Sequence, residues 1–139
     1  YFPVISVSDL RIQPDICLLY ITVIAILYGR FFAVIIGFFM GLIQDFSTQA
    51  ELLGVLSFSK SITAYLIGSI YNYKTIWSKE VQHAVILISY IVHFFLYFYL
   101  FSRTFFDLYY LSIFILLHSA IVFFLFLLFN NLVFKNKLL

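Results

Sequence analysis

Apolar residues run through this chain in five long stretches separated by short polar joints. The stretches predict helices at 16–28, 31–45, 53–71, 81–101 and 105–134. Runs such as 113–117 and 121–129 contain no polar alternation, which argues against the strands of a closed barrel, where lipid-facing and lumen-facing positions alternate. The joints fall at Gly29-Arg30, over 45–52, over 72–80 and at Ser102-Arg103-Thr104, and Lys135 and Lys137 close the last stretch. A single helix through Gly29-Arg30 would set Arg30 near mid-membrane, costing about 2.5–3.5 kcal/mol on insertion scales. A hairpin there avoids that cost. The first helix can gain a turn over 11–15, because Pro14 is tolerated in a first turn.

Composition turns these helices into membrane helices. Hydrophobic residues fill 65% of the 139 positions, charged residues 10%, and mean hydropathy is +1.11; a soluble domain carries about 25% charged residues. A spanning helix needs about 20 mostly apolar residues to cross about 30 Å of hydrocarbon. Lipid offers no partner to backbone N–H and C=O groups, so each span must be helical. The chain therefore reads as one integral membrane domain over 1–139, an all-α polytopic bundle. Its first two spans are short, which implies tilt or local bilayer thinning. The last is long, and is expected to tilt or to protrude near Asn130-Asn131. The sequence opens Tyr1-Phe2-Pro3-Val4-Ile5, and a sixth span is expected ahead of it. The single Cys17 excludes an intramolecular disulfide and a cysteine-based metal cluster.

Charge placement gives an orientation. With the terminal lysines cytoplasmic, Arg30, Lys74, Lys79, Lys135 and Lys137 fall inside and only Arg11 and Arg103 outside, as the positive-inside rule requires. Asp9, Asp15, Asp45, Glu51 and Asp107 then lie at the outer side. Tyr71, Tyr73 and Trp77 mark the inner interface, and Tyr109 and Tyr110 the outer one.

Small residues form two stripes. Gly37 and Gly41 stand four apart on the second span, with Asp45 continuing the same face; Ser57, Ser61, Ala64 and Gly68 line the third. Such faces let helix backbones approach closely, within the monomer or against a partner. Lys60 lies beside the second stripe, and intramembrane charges are functional candidates. It can pair with Asp45 or Glu51, the three bounding a polar notch that opens outward and that a ligand or partner could enter. His93 and His118 lie at matching depths on the last two spans, either close enough to pair or hydrogen-bonded to Ser89, Tyr90 or Ser119. Two histidines without a thiol or carboxylate make a poor metal site. Phosphate-binding, HExxH and GxSxG motifs are absent, and no basic stripe suits nucleic acid. Ser119 adjoins His118 in sequence, but neighbours on a helix point apart. The sequence therefore calls for no enzyme activity, cofactor, metal or nucleic acid.

Residues 14–68 resemble the MreD family of rod shape-determining proteins. Pro14-Asp15 opens an apolar helix, Gly37-Phe38, Gly41-Leu42 and Asp45 follow in order, then Leu53-Gly54 after a polar loop and Tyr65-Leu66-Ile67-Gly68. From residue 72 onward the likeness is one of hydropathy. The resemblance implies six spans, a fold like the substrate-binding S-components of energy-coupling-factor transporters, and a non-catalytic scaffold in the bacterial plasma membrane. The implied partners are MreC, a single-span protein, and an elongation complex with MreB and a RodA-type peptidoglycan synthase; self-association is also open. Gly37, Gly41, Gly54, Lys60 and Asp45 would serve fold integrity or docking. A vitamin-type solute-binding subunit, with its ligand in the Asp45–Glu51–Lys60 notch, is the alternative reading.

Overall fold

The computed structural model describes residues 5–7, 10–12, 15–47, 53–101, 108–135 and 138–139. Among the described residues, six helices follow a short hairpin in which β1 (Ile5–Val7) pairs antiparallel with β2 (Leu10–Ile12). The helices are α1 (Ile16–Tyr28), α2 (Arg30–Ser47), α3 (Val55–Ile67), α4 (Ser69–Tyr73), α5 (Lys79–Phe101) and α6 (Leu108–Phe134). Segments 30–47, 79–100 and 109–134 are long and apolar enough to cross a membrane, whereas α1 is apolar but has 13 residues. The described residues thus form a transmembrane helix bundle in which three helices are long enough to span and shorter ones pack among them.

Two expectations need correcting. The first helix starts at Ile16, without the turn expected over 11–15: Leu10–Ile12 is a strand and Asp15 is the N-cap of α1. The third stretch breaks at Gly68 into α3 and α4. Gly68 sits where two backbones meet. A Cβ on Gly68 would stand 2.6 Å from the Arg30 Cα, so the third stretch crosses the start of α2 at backbone contact.

The hairpin at Gly29 is present. Gly29 has φ +82, its N–H closes α1 on the Ala25 carbonyl at 3.1 Å, and the Tyr71 ring lies over its missing side chain. The left-handed backbone and the packed ring both require glycine there.

Helix α2 shows how the membrane reverses the usual sorting. Its buried side is Ala33, Gly37, Gly41 and Asp45, while Phe31, Phe32, Phe38, Phe39, Ile43 and Phe46 are exposed. Large apolar residues are at home in lipid tails, so what distinguishes the inner face is smallness, which permits close backbone packing. The inner face lies on α3. A Cβ on Gly41 would stand 2.5 Å from the Ser57 Cα, and one on Gly37 would meet the Lys60 carbonyl at 3.2 Å and the Ala64 Cβ at 3.3 Å. The two small stripes are therefore each other's partners.

The remaining core joins α1 to α5 and α6 through Leu18, Ile21, Ala25, Ile86, Tyr90, Val122 and Phe126, all fully or almost fully buried. Aromatic contacts pin α5 to α6, with Phe98 to Phe114 at 4.8 Å and Phe94 to His118 at 5.4 Å between ring centroids.

Candidate functional site

The ends of α1, α2 and α3 furthest from Gly29 enclose the densest group of buried polar side chains. Asp15 begins it. As N-cap of α1 its Oδ1 accepts from the Leu18 N–H at 3.3 Å, satisfying one of the free donors that every helix start presents. Its Oδ2 lies 2.7 Å from the Lys60 Nζ on α3. Lys60 is fully buried and also donates to the Gln44 Oε1 on α2. Five residues into α3, its Cα stands about 8 Å along the axis from the start of that helix. The ammonium is thus neutralised by a carboxylate fixed at another helix's end.

His93 on α5 completes the group. The Ser59 Oγ lies 2.9 Å from the His93 carbonyl and 2.8 Å from its Nδ1. A carbonyl can only accept, so the one serine hydrogen goes to it and the Nδ1–H donates to the Ser59 Oγ. In a neutral ring Nε2 is then the unprotonated nitrogen, 3.9 Å from the Asp15 Oδ2. About two turns along α1 from Asp15, the Thr22 hydroxyl meets the Tyr90 hydroxyl at 2.8 Å and donates to the Leu18 carbonyl. Asp15, Gln44, Lys60 and His93 bring together α1, α2, α3 and α5.

Asp45 has its own assignment. Gly54, the N-cap of α3, carries no side chain to cap with and sits at φ +100. Asp45 reaches from α2 to do so: its oxygens accept from the N–H groups of Gly54, Leu56 and Ser57 and from the Ser57 hydroxyl, at 3.0–3.2 Å. A carboxylate there meets both the free donors and the positive end of the helix dipole.

The sequence-derived candidates sort accordingly. Gly37, Gly41, Ser57, Ala64 and Gly68 are buried where helices touch; Ser61 is half-buried and donates to the Ser57 carbonyl, and Gly54 makes the turn into α3. Glu51 lies outside the described residues. The ion pair of Lys60 is with Asp15, a residue the sequence reading did not connect to it. Lys60 and Asp45 are both fully buried and belong to a polar cluster inside the bundle, while Glu51, the third residue expected to bound an outward-opening notch, is not among the described residues. His93 and His118 do not share an interaction: His93 turns to Ser59, while His118 stacks among Phe94, Phe98 and Phe114 and bonds to the Phe114 carbonyl. Ser89 and Ser119 bond within their own helices, and Tyr90 bonds to Thr22, so none of the three is a histidine partner.

Chemically the cluster holds. Among the described residues no group of three or more His, Cys, Asp or Glu gathers to ligate a metal. A shallow groove of about 340 Å³ between α5 and α6 is lined by Ile91, Val92, Phe95, Ser112, Ile115 and Leu116, and does not include the cluster's residues. Sequence offered one signal for Asp15 that went unused: an acidic residue opening an apolar helix, at the end of the bundle where a buried lysine sits.

Comparison with known proteins places this architecture. No curated protein and no solved structure gives a match. Residues 3–136 match the family described as rod shape-determining protein MreD, nearly the whole length, and the chain belongs to that family.

Proposed function

We propose that this chain is a non-catalytic scaffold of the bacterial cell-elongation machinery, a single multi-pass domain of the plasma membrane with its C-terminus in the cytoplasm. It binds an MreC-like single-span protein and, in an assembly with MreB and a RodA-type synthase, supports cell shape and lateral peptidoglycan synthesis. Family membership supports the role in rod shape determination. The observation that carries the scaffold reading is the closed cluster, in which Asp15, Gln44, Lys60 and His93 spend their polar groups on joining four helices. An expected likeness to the S-component fold follows from the family resemblance and is tested by superposing an experimental structure.

The geometry also bears on where the partner sits. Gly37 and Gly41 lie against α3, so the small stripe is occupied within the monomer. Docking is assigned instead to the exposed large-residue faces, first to Phe38 and Phe39 on α2. The test is co-purification of the MreC-like protein from detergent-solubilised membranes. Replacing Phe38 and Phe39 together by alanine is expected to reduce recovery several-fold while thermal stability holds. Undiminished recovery would remove the α2 face from the interface, and no recovery with the unaltered chain would remove the scaffold reading.

A further inference from the structure

The end of the bundle opposite the buried ion pair is basic, aromatic and built in detail. Arg30 begins α2 with its guanidinium 4.8 Å from the centre of the Tyr65 ring and its Nη2 donating to the Ser69 Oγ at 2.9 Å. Across the α1–α2 turn lies Tyr71, whose ring packs on Gly29. Lys74 follows, donating to the Leu138 carbonyl at 2.5 Å, and Lys79 starts α5. Lys135 ends α6 at the same side. Lys74, Lys79 and Lys135 are exposed, and Glu80 is the acidic residue among them.

The loop between α4 and α5 shows the same preference for an interface. The Tyr73 carbonyl accepts from the N–H groups of Ile76 and Trp77, and the Gln82 side-chain amide donates to the carbonyls of Lys74 and Trp77. These bonds fix a tip on which Tyr73 and Trp77 stack at 5.0 Å and Ile76 stands three-quarters exposed between two lysines. An ordered tip that holds an isoleucine out, beside amphipathic rings and cations, matches the boundary between acyl chains and headgroups.

We propose that this end is a contact surface for anionic phospholipid, with Arg30, Lys74, Lys79 and Lys135 meeting headgroup phosphates while Ile76, Tyr73 and Trp77 enter the acyl boundary. Charge complementarity selects the occupant: clustered cations immediately outside a spanning helix attract anionic headgroups. Arg30 is the best-placed of the four, since Tyr65 and Ser69 hold its fork before any phosphate arrives. The assignment does not depend on which leaflet this end meets.

The chain's single tryptophan, Trp77, reports on this surface directly. The full chain is reconstituted in vesicles of phosphatidylglycerol and phosphatidylcholine in equal amounts, with one or the other lipid brominated. Trp77 fluorescence is expected to be quenched about two- to fivefold more effectively by brominated phosphatidylglycerol, the excess fading as salt rises. Lys79→Gln with Lys135→Gln, both at exposed positions, is expected to bring the two lipids to within about twofold while helix content is retained. Arg30→Gln should lower the preference further than either lysine change alone. Equal quenching by both lipids in the unaltered chain would overturn the proposal. So would negligible quenching by either lipid, an outcome that points to a protein partner covering the loop.

Discussion

At the scale of the residue, Asp15 and Lys60 carry the largest expected effects. Each is tolerable in the bundle only because of the other, since an unpaired buried charge in this setting is costly. Asp15→Ala strips the ammonium of its carboxylate and is expected to destabilise the protein by about 3–5 kcal/mol. Lys60→Met leaves the carboxylate behind, although the Leu18 N–H still reaches it, and should cost somewhat less. The double variant, Asp15→Ala with Lys60→Met, removes both charges and is expected to recover most of the loss. Thermal unfolding in detergent across all four proteins gives the coupling directly. Additive losses would mean that the 2.7 Å contact contributes nothing of its own. The sequence made Lys60 visible, because a lysine inside an apolar stretch is conspicuous. It hid the partner, because Asp15 lies 45 positions earlier and pairing across helices leaves no local periodic mark.

At the scale of the element, the decisive contact is α2 on α3. The pattern of small residues at three- and four-residue spacing was legible from sequence on both helices, since a helix places i, i+3 and i+4 on one face. Which face met which was not, because glycine stripes look the same whether they receive a neighbour or a partner. The backbone approach at Gly41 settles it. A methyl there would stand 2.5 Å from the Ser57 Cα, with no flexible side chain to move aside. Gly41→Ala is expected to lower stability by about 1–3 kcal/mol, and Gly41→Leu to prevent a stable fold. Gly54→Ala makes a useful contrast, since nothing stands within 4 Å of its missing Cβ. Its loss should come from the left-handed backbone alone, about 1–2 kcal/mol. If Gly41→Ala matched the unaltered protein in thermal unfolding, the two stripes would not be the close contact described. Element ends were less legible than element faces: Gly68 caps α3, but the backbone contact that requires a glycine there is with Arg30, 38 positions away, and leaves no mark nearby.

At the scale of the whole molecule, the two ends differ in kind, and that difference gives a topology that labelling can read. Among the described residues, one end holds its charges inward, Asp15 with Lys60 and Asp45 of α2 against the start of α3; the other presents Lys74, Lys79 and Lys135 outward. Basic residues near short loops resist translocation, so the second end should face the cytoplasm. Its loops were legible from the sequence because charge and aromatic residues gather there within a few positions. With Cys17→Ala as background, cysteines introduced singly as I76C, K135C and L53C replace exposed residues at the two ends. A membrane-impermeant maleimide applied to intact spheroplasts should label L53C and leave I76C and K135C unlabelled until the membrane is opened. The same labels test the fold as well as its orientation, because α3 and α4 carry the chain from one end to the other between residues 53 and 76, and α5 and α6 return it to that second end by residue 135. Labelling of all three only after lysis would therefore contradict the crossing by α3, whereas labelling of I76C and K135C from outside, with L53C protected, would keep the bundle and invert it.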